Sequence, residues 1–529
     1  MLPGSGPGTI PDYGRAATPA QRRELEATIM ALSRELGVCD ATLQAIARAI
    51  GAATPAGSFD ALLQKLRSQA AQVVTLRRDV AGLRRQVASL SDPKQRDPGL
   101  GMLDRATAAI DAGRLGDAER ELAALEYLRR SGNAAASSAW IDAVRARADL
   151  AKLAQQYDRA TDLLLAAAHD EREATRHRQW LLVDDAANAQ EEKGTARGDN
   201  AAFQRAIRLY LEEALPLAPR EIARADWVIT QKNLGIAFQN FGDQTGDRAT
   251  YHQGISALSA ALSGLTPTDN PEAWATIQST LGNIESGLGD LGEQGMYDKA
   301  IESYQNALKV HTRTSARYQW ARGSDNLAIL IMRKGEATPG QEGLALLRRA
   351  HQMQKEAIAA LDHKTEAYDW ATVQLNFATT LTDLAQRTQD IAPLRDAVTA
   401  LNHALEVFTH DRSPLDWATC KSNLGDVLTI LGGSTKDPAT LRQAIEALED
   451  ALQERSKERD PLDWAATNLN LSEAEALLAM VSNDTAALAS ADAHFALAKP
   501  LFDPHSVDQG KVTEIGNLIA EAHQAFAKK

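Results

Sequence analysis

Long apolar runs are missing from this chain of 529 residues. Nowhere does it collect the roughly 18 apolar residues of a membrane helix, and no basic start followed by an apolar run marks a secretory signal. Cysteine is nearly absent: Cys39 and Cys420 lie far apart, so neither a disulfide framework nor a zinc spacing can be built from them, which fits a reducing compartment. Positive charge is in deficit, with 57 Lys and Arg against 70 Asp and Glu and a net charge of −13, which excludes the basic footprint of a general nucleic-acid or anionic-membrane binder. Phosphate loops, nucleophile elbows and Cys–His pairings are absent too, so the expectation is no enzyme, no cofactor and no metal. His169 and His177, near Asp170, Glu171 and Glu173, come nearest to a metal set, but histidines eight apart are separated by two helical turns. Together these absences predict a soluble cytoplasmic protein with neither membrane nor nucleic acid as partner.

What is present is a period. Trp140, Trp180, Trp227, Trp274, Trp320, Trp370, Trp417 and Trp464 follow one another at intervals of 40, 47, 47, 46, 50, 47 and 47 residues, and the chain has no other tryptophan. Six residues after it stands Asn233, Asn326, Asn376, Asn423 or Asn470, with Thr280 the exception from Trp227 onward. Next comes Leu234, Leu281, Leu327, Phe377, Leu424 or Leu471, and then a small residue: Gly235, Gly282, Ala328, Ala378, Gly425 or Ser472. A fixed period of this length marks stacked repeats, each packing on its neighbours. Each regular unit has a first helix running from just before the tryptophan to Gly242, Gly289, Gly335 or Gly432 (Ala385 and Ala479 in two units), where glycine suits a left-handed helix end. A polar loop and a second helix follow, with Ala300, Tyr304 and Ala307, or Ala397, Leu401 and Ala404, on one face.

The remaining segments divide the chain. Residues 1–18, rich in Gly and Pro, read as a disordered leader, and 19–56 as a helical hairpin. Residues 57–92 form a long helix with Phe59, Leu66, Val73, Val80 and Val87 on one heptad seam and Leu62, Gln69, Leu76, Leu83 and Leu90 on the other. That helix is a coiled coil giving a homodimer through 59–90, or packs within the chain; its basic flanks, Lys65, Arg67, Arg77, Arg78, Arg84 and Arg85, work against a dimer. A linker is expected at 93–100, shorter repeats at 101–170, long repeats at 171–503 and a capping helix at 504–529.

The Asn-Leu-Gly block at Asn233-Leu234-Gly235, Asn326-Leu327-Ala328 and Asn423-Leu424-Gly425, with Ala300, Tyr304 and Ala307 in a second helix, resembles the tetratricopeptide repeat. The departure is a period near 47 rather than 34, closer to kinesin-light-chain-style repeats. The Asp-Pro-Leu-Asp-Trp-Ala spelling at Asp460–Ala465 looks like that of large bacterial repeat proteins. The resemblance implies an all-α, right-handed α-solenoid with an N-terminal helical module, whose first helices line a concave groove. It also implies that Asn233, Asn326, Asn376, Asn423 and Asn470 grip the backbone of an extended peptide, since an amide offers donor and acceptor together. The alternative is that they hydrogen-bond between neighbouring helices. Beside them Lys232, Ile236, Gln239, Asn283, Arg322, Asp325, Arg333, Asp383 and Asp426 would set specificity, with Arg322 and Arg333 on one helix face as a carboxylate grip. Trp227, Trp274, Trp320, Trp370, Trp417 and Trp464 are expected to fill the wedge between repeats. The functional expectation is a scaffold that binds a peptide segment or partner protein in the groove. The alternatives are a dimeric structural spacer and a regulatory sensor in a bacterial signalling or defence system.

Overall fold

The computed structural model describes residues 19–53, 59–90, 97–130, 134–170, 175–458, 460–502 and 509–527. The expected leader at 1–18 lies outside the described residues, as does most of the expected linker. Among the described residues the chain is helical throughout, and it divides into two units, residues 1–299 and 300–529.

In the first unit, α1 (Pro19–Leu36), α2 (Asp40–Ala53) and α3 (Phe59–Leu90) are followed by α4 (Pro98–Asp111), α5 (Leu115–Arg129), α6 (Ala134–Leu153) and α7 (Tyr157–Ala168). One apolar core runs through α1 to α6: Leu25 and Ile29, Leu43 and Ile46, Leu66, Val73 and Val80, Leu103 and Ile110, then Leu122 and Leu150. Of the two readings of residues 59–90, packing within the chain is the one seen for the middle of the seams: Leu66, Val73, Leu76, Val80, Leu83 and Val87 are buried against α1, α2, α4 and α6. The basic flank is partly neutralised as well, by Arg77 with Asp111 at 3.1 Å and Arg84 with Asp104 at 2.6 Å. Gln69 is buried in the seam with its Oε1 unbonded. Gly113, at φ +68°, sits where an added Cβ would lie 2.3 Å from the Ala41 carbonyl, and Thr42 donates to the Ile110 carbonyl at 2.5 Å beside it.

The repeats continue with α8 (Arg176–Arg197), α9 (Asn200–Arg208), a π-helical turn at Leu209–Ala214, α10 (Leu215–Leu217), α11 (Arg224–Thr245), α12 (Arg248–Ser263) and α13 (Pro271–Asp290). The unit boundary falls inside α14 (Met296–Val310). The second unit holds α15 (Arg317–Ala337), α16 (Gly340–Ala360), α17 (Ala367–Thr388), α18 (Ala392–Val407), α19 (Pro414–Thr435), α20 (Pro438–Ala451), α21 (Pro461–Ser482), α22 (Thr485–Ala498) and α23 (Gln509–Ala527). Helices pack as consecutive hairpins: α11 on α12, α15 on α16, α17 on α18, α19 on α20, α21 on α22. The starts are written locally. Proline opens α13, α19, α20 and α21 in the first turn, where no backbone donor is needed. Aspartates cap second helices, Asp247 accepting from the Thr250 N–H at 3.0 Å and Asp484 from the Ala486 N–H at 2.9 Å.

The helix ends differ from expectation. Gly242, Gly289, Gly335 and Gly432 lie inside their helices, and none has a positive φ. They mark the close approach of each hairpin instead: an added Cβ would lie 2.7 Å from Tyr251 at Gly242, 2.5 Å from Tyr297 at Gly289 and 2.8 Å from Leu441 at Gly432. Left-handed ends fall on Gly246, Gln389, Lys436 and Asn483, four residues beyond Gly242, Ala385, Gly432 and Ala479. After α22 the amphipathic α23 buries Val512, Ile515, Ile519 and Ala522 against α21 and α22 and closes that end of the second unit.

Candidate functional site

The asparagines of the first helices do not form one uniform row. Asn233 is buried, and its Nδ2 donates to Asp184 of α8 at 3.2 and 3.3 Å. Asn376 repeats the arrangement in the second unit, donating to Asp325 of α15 at 2.8 Å. Gln354 of α16 donates to the other Asp325 oxygen at 3.1 Å, and Thr380 donates to Gln354 at 2.7 Å, so a polar chain joins three helices inside the stack. Asn326 donates to the Tyr304 hydroxyl at 3.3 Å, and Thr280 donates back to the Thr276 carbonyl. Asn423 on α19 and Asn470 on α21 are half-buried, and neither amide has a hydrogen-bond partner among the described residues. The ladder therefore has internally bonded rungs at Asn233, Asn326 and Asn376 and free rungs at Asn423 and Asn470.

Burial sets the charge state of the inner rungs. It pushes the Asp184 carboxyl up to about 6, with the neighbouring Asp185 charge adding to the effect and the Asn233 and Asn188 amides opposing it. Asp325, 4 % exposed, is likewise pushed to about 6 by burial against the pull of Asn376 and Gln354. Glu191, which accepts from Asn240 at 2.9 Å, rises to about 7, again through burial. Each carboxylate is held by amide donors, with no cation in contact with it. The free rungs have charged neighbours one helical turn on: Asp426 follows Asn423 by three residues and Glu473 follows Asn470 by three. Lys511 of α23 reaches both, at 3.1 and 4.0 Å.

The flanking residues divide in the same way. Lys232 is half-buried, and its charge opposes the rise of Asp184 and Glu191. Gln239 donates to Asp243 of its own helix at 3.2 Å, while Asn283 and Arg333 are half-buried. Arg322 has a carboxylate and an aromatic ring of this chain as neighbours. Its Nε meets Asp369 of the next repeat at 3.4 Å, and its guanidinium lies 5.7 Å from the Tyr318 ring centre, so the carboxylate it faces belongs to this chain. His169 and His177 likewise face carboxylates of the next repeat, Glu213 at 2.7 Å and Asp226 at 2.8 Å. No cluster of three or more metal-ligating side chains occurs among the described residues.

The tryptophans hold a feature that the sequence reading missed. Trp140 and Trp180 are buried, but Trp227, Trp274, Trp320, Trp370, Trp417 and Trp464 are half-buried, so each wedge is partly open. Seven residues before the ring, in the loop entering the first helix, a basic side chain faces it. Arg220 stands 4.9 Å from Trp227, Arg313 5.8 Å from Trp320 and Lys457 5.9 Å from Trp464. His363 lies 6.0 Å from Trp370, and His410 4.6 Å from Trp417. The signal was legible in the register; it escaped because Arg, Lys and His are three spellings of one role.

No protein-family model matches the chain, and neither does any curated protein. Solved structures do. Yeast Tom70 is 14% identical, covering 96% of this chain and 93% of its own, at a TM-score of 0.30. The TPR2AB domain of yeast Sti1, solved as a complex with pHSP90, is 16% identical over 64% of this chain and 99% of its own, at 0.21. The human IFIT1 dimer with PPP-AAAA is 12% identical over 83% and 96%, at 0.24. At such scores the overlays add nothing about the site. The helix pairs and the residues packed within them form an all-α stack of helical hairpins, the fold that the tetratricopeptide resemblance implied.

Proposed function

We propose that this protein is a scaffold that holds a partner's extended segment along the first-helix face of its second unit, at α19 and α21. One observation carries the reading: Asn423 and Asn470, equivalent residues of successive repeats, keep half-buried amides unbonded, while the other asparagines of the ladder are committed to the stack. A half-buried amide without a partner offers a donor and an acceptor at a surface where a peptide backbone has both to give. Asp426 and Glu473, one turn on, are already paired with Lys511 of α23, so the free amides rather than a net charge would hold the segment. No helix among the described residues is long and apolar enough to cross a membrane.

Selection from a random linear-peptide library on immobilised full-length protein tests the reading. Wild type should enrich extended peptides, and the N423A/N470A double variant should lose at least about tenfold in affinity for them while keeping its helical circular dichroism. Equal enrichment by the folded double variant, or no enrichment by wild type, would overturn it.

A further inference from the structure

Two cations of the first unit stand beside one tyrosine with no carboxylate of their own. Lys65, on α3, holds its Nζ 6.0 Å from the centre of the Tyr157 ring, and the Arg197 guanidinium, at the end of α8, lies 5.7 Å from the same centre. Tyr157 opens α7 and is buried, and its hydroxyl donates to Gln155 Oε1 at 3.0 Å, so the ring is fixed. Gln155 fixes the arginine as well. Its backbone is left-handed at φ 61°, and its carbonyl accepts from Arg197 Nη2 at 2.7 Å, which leaves Nε and Nη1 unbonded among the described residues.

The acids nearby are already taken. Glu192 faces Lys152 at 3.3 Å, and the same lysine holds Asp149 at 3.1 Å. Asp158, next to Tyr157, pairs with Lys193 at 3.0 Å, and Asp199, two residues after Arg197, meets that lysine at 3.2 Å. Neither Lys65 nor Arg197 has an ion pair among the described residues. Arg129 and Arg147, partly buried cations of the same unit, each sit on a carboxylate, Asp97 at 2.5 Å and Glu119 at 2.8 Å. Burial lowers the Lys65 ammonium from the usual lysine range, and the Arg197 charge lowers it further, by more than Glu192 raises it. A surplus of positive charge therefore remains at this ring. It is open to solvent, since Lys65 is half-buried and Arg197 exposed.

We propose that Lys65 and Arg197, beside Tyr157, form a seat for a phosphate group. A phosphate dianion brings two negative charges to two cations that lack a counter-charge, and it offers acceptors to Lys65 Nζ and to the free Nε and Nη1 of Arg197. A carboxylate would leave one cation unbalanced. The seat lies among α3, α7 and α8, and the asparagines of α19 and α21 take no part in it, so it stands or falls apart from the proposed function.

NMR of full-length protein carrying lysine labelled with carbon-13 at Cε follows each ammonium through its titration, and K65R identifies the Lys65 signal. Replacing chloride by about 10 mM phosphate at matched ionic strength should raise the Lys65 midpoint by at least about 0.5 pH unit and leave the other lysines within about 0.1. Acetate at the same ionic strength should give less than about half of that shift. R197Q should raise the midpoint in chloride, because a repelling charge is gone, and should remove most of the phosphate response while helical circular dichroism is unchanged. Titrations with O-phosphoserine and adenosine monophosphate separate the sources: tighter binding of either than of inorganic phosphate assigns the seat to a phosphorylated molecule, and equal or weaker binding assigns it to the free ion. Four results would each overturn the inference: no movement of the Lys65 midpoint, equal movement of all the lysines, an equal shift in acetate, or an undiminished response in folded R197Q.

Discussion

Replacing Asp325 with asparagine should stabilise the protein at alkaline pH and leave it unchanged in acid. Asp325 is 4 % exposed, and its carboxyl is raised to about 6, against roughly 3.9 for a free aspartate. A carboxyl with a raised pKa is disfavoured in the fold while charged. Above about pH 7 both folded and unfolded chains carry the charge, and the fold bears the full penalty; below about pH 4 both are neutral and it vanishes. The difference in pKa corresponds to roughly 3 kcal/mol at pH 8. Asparagine removes the charge and keeps Oδ1 to accept from Gln354, while the Asn376 amide can turn over so that its oxygen accepts from the new Nδ2. A neutral amide is a weaker acceptor, which reduces the expected gain to about 1–2 kcal/mol. Urea unfolding of wild type and D325N at pH 8 and pH 4.5 measures it: a higher midpoint for the variant at pH 8, converging at pH 4.5. A variant less stable than wild type at pH 8 by more than about 1 kcal/mol would refute the reasoning, because the charge would then be contributing to the fold.

Other substitutions probe the packing. In G425A the new methyl meets Leu448 Cγ at 2.4 Å and the Ala444 carbonyl at 3.1 Å, so thermal unfolding should show a loss of about 1–3 kcal/mol, whereas G116A, with nothing within 4 Å, should be neutral or better. R313A removes the cation from Trp320 and should cost about 0.5–1 kcal/mol by urea midpoint, with a change in tryptophan fluorescence. K511M leaves Asp426 and Glu473 without their cation. The pKa of Glu473, already raised by burial, should rise further, so the variant should lose more stability at pH 8 than at pH 5.

The period itself was fully legible, because a tryptophan and an Asn-Leu-Gly block are rare enough to set a register by eye. The heptad of α3 was legible as an apolar stripe, but a stripe does not say what covers it: Leu66, Val73 and Val80 would bury equally well on a second copy or on α1, α2 and α6. Gly242 and Gly432 misled for a related reason. A glycine near a helix end reads as a stop signal, whereas here the absent Cβ lets Tyr251 and Leu441 of the following helix come close. The asparagine row was visible, but its division was not. Whether an amide is bonded depends on what the preceding repeat places within its reach, Asp184 for Asn233 and Asp325 for Asn376. Those partners lie 49 and 51 residues away, off the tryptophan period by one or two positions, so the register could not pair them.

That division is the central claim, and one comparison tests it most directly: the urea midpoints of N376A and the N423A/N470A double variant at pH 7.5. N376A strips a donor from the buried Asp325 carboxylate and should lose about 1–3 kcal/mol, while the double variant, which breaks no internal hydrogen bond, should stay within about 0.5 kcal/mol of wild type. Comparable losses in the two proteins would contradict the account, since Asn423 and Asn470 would then be holding the stack rather than facing a partner.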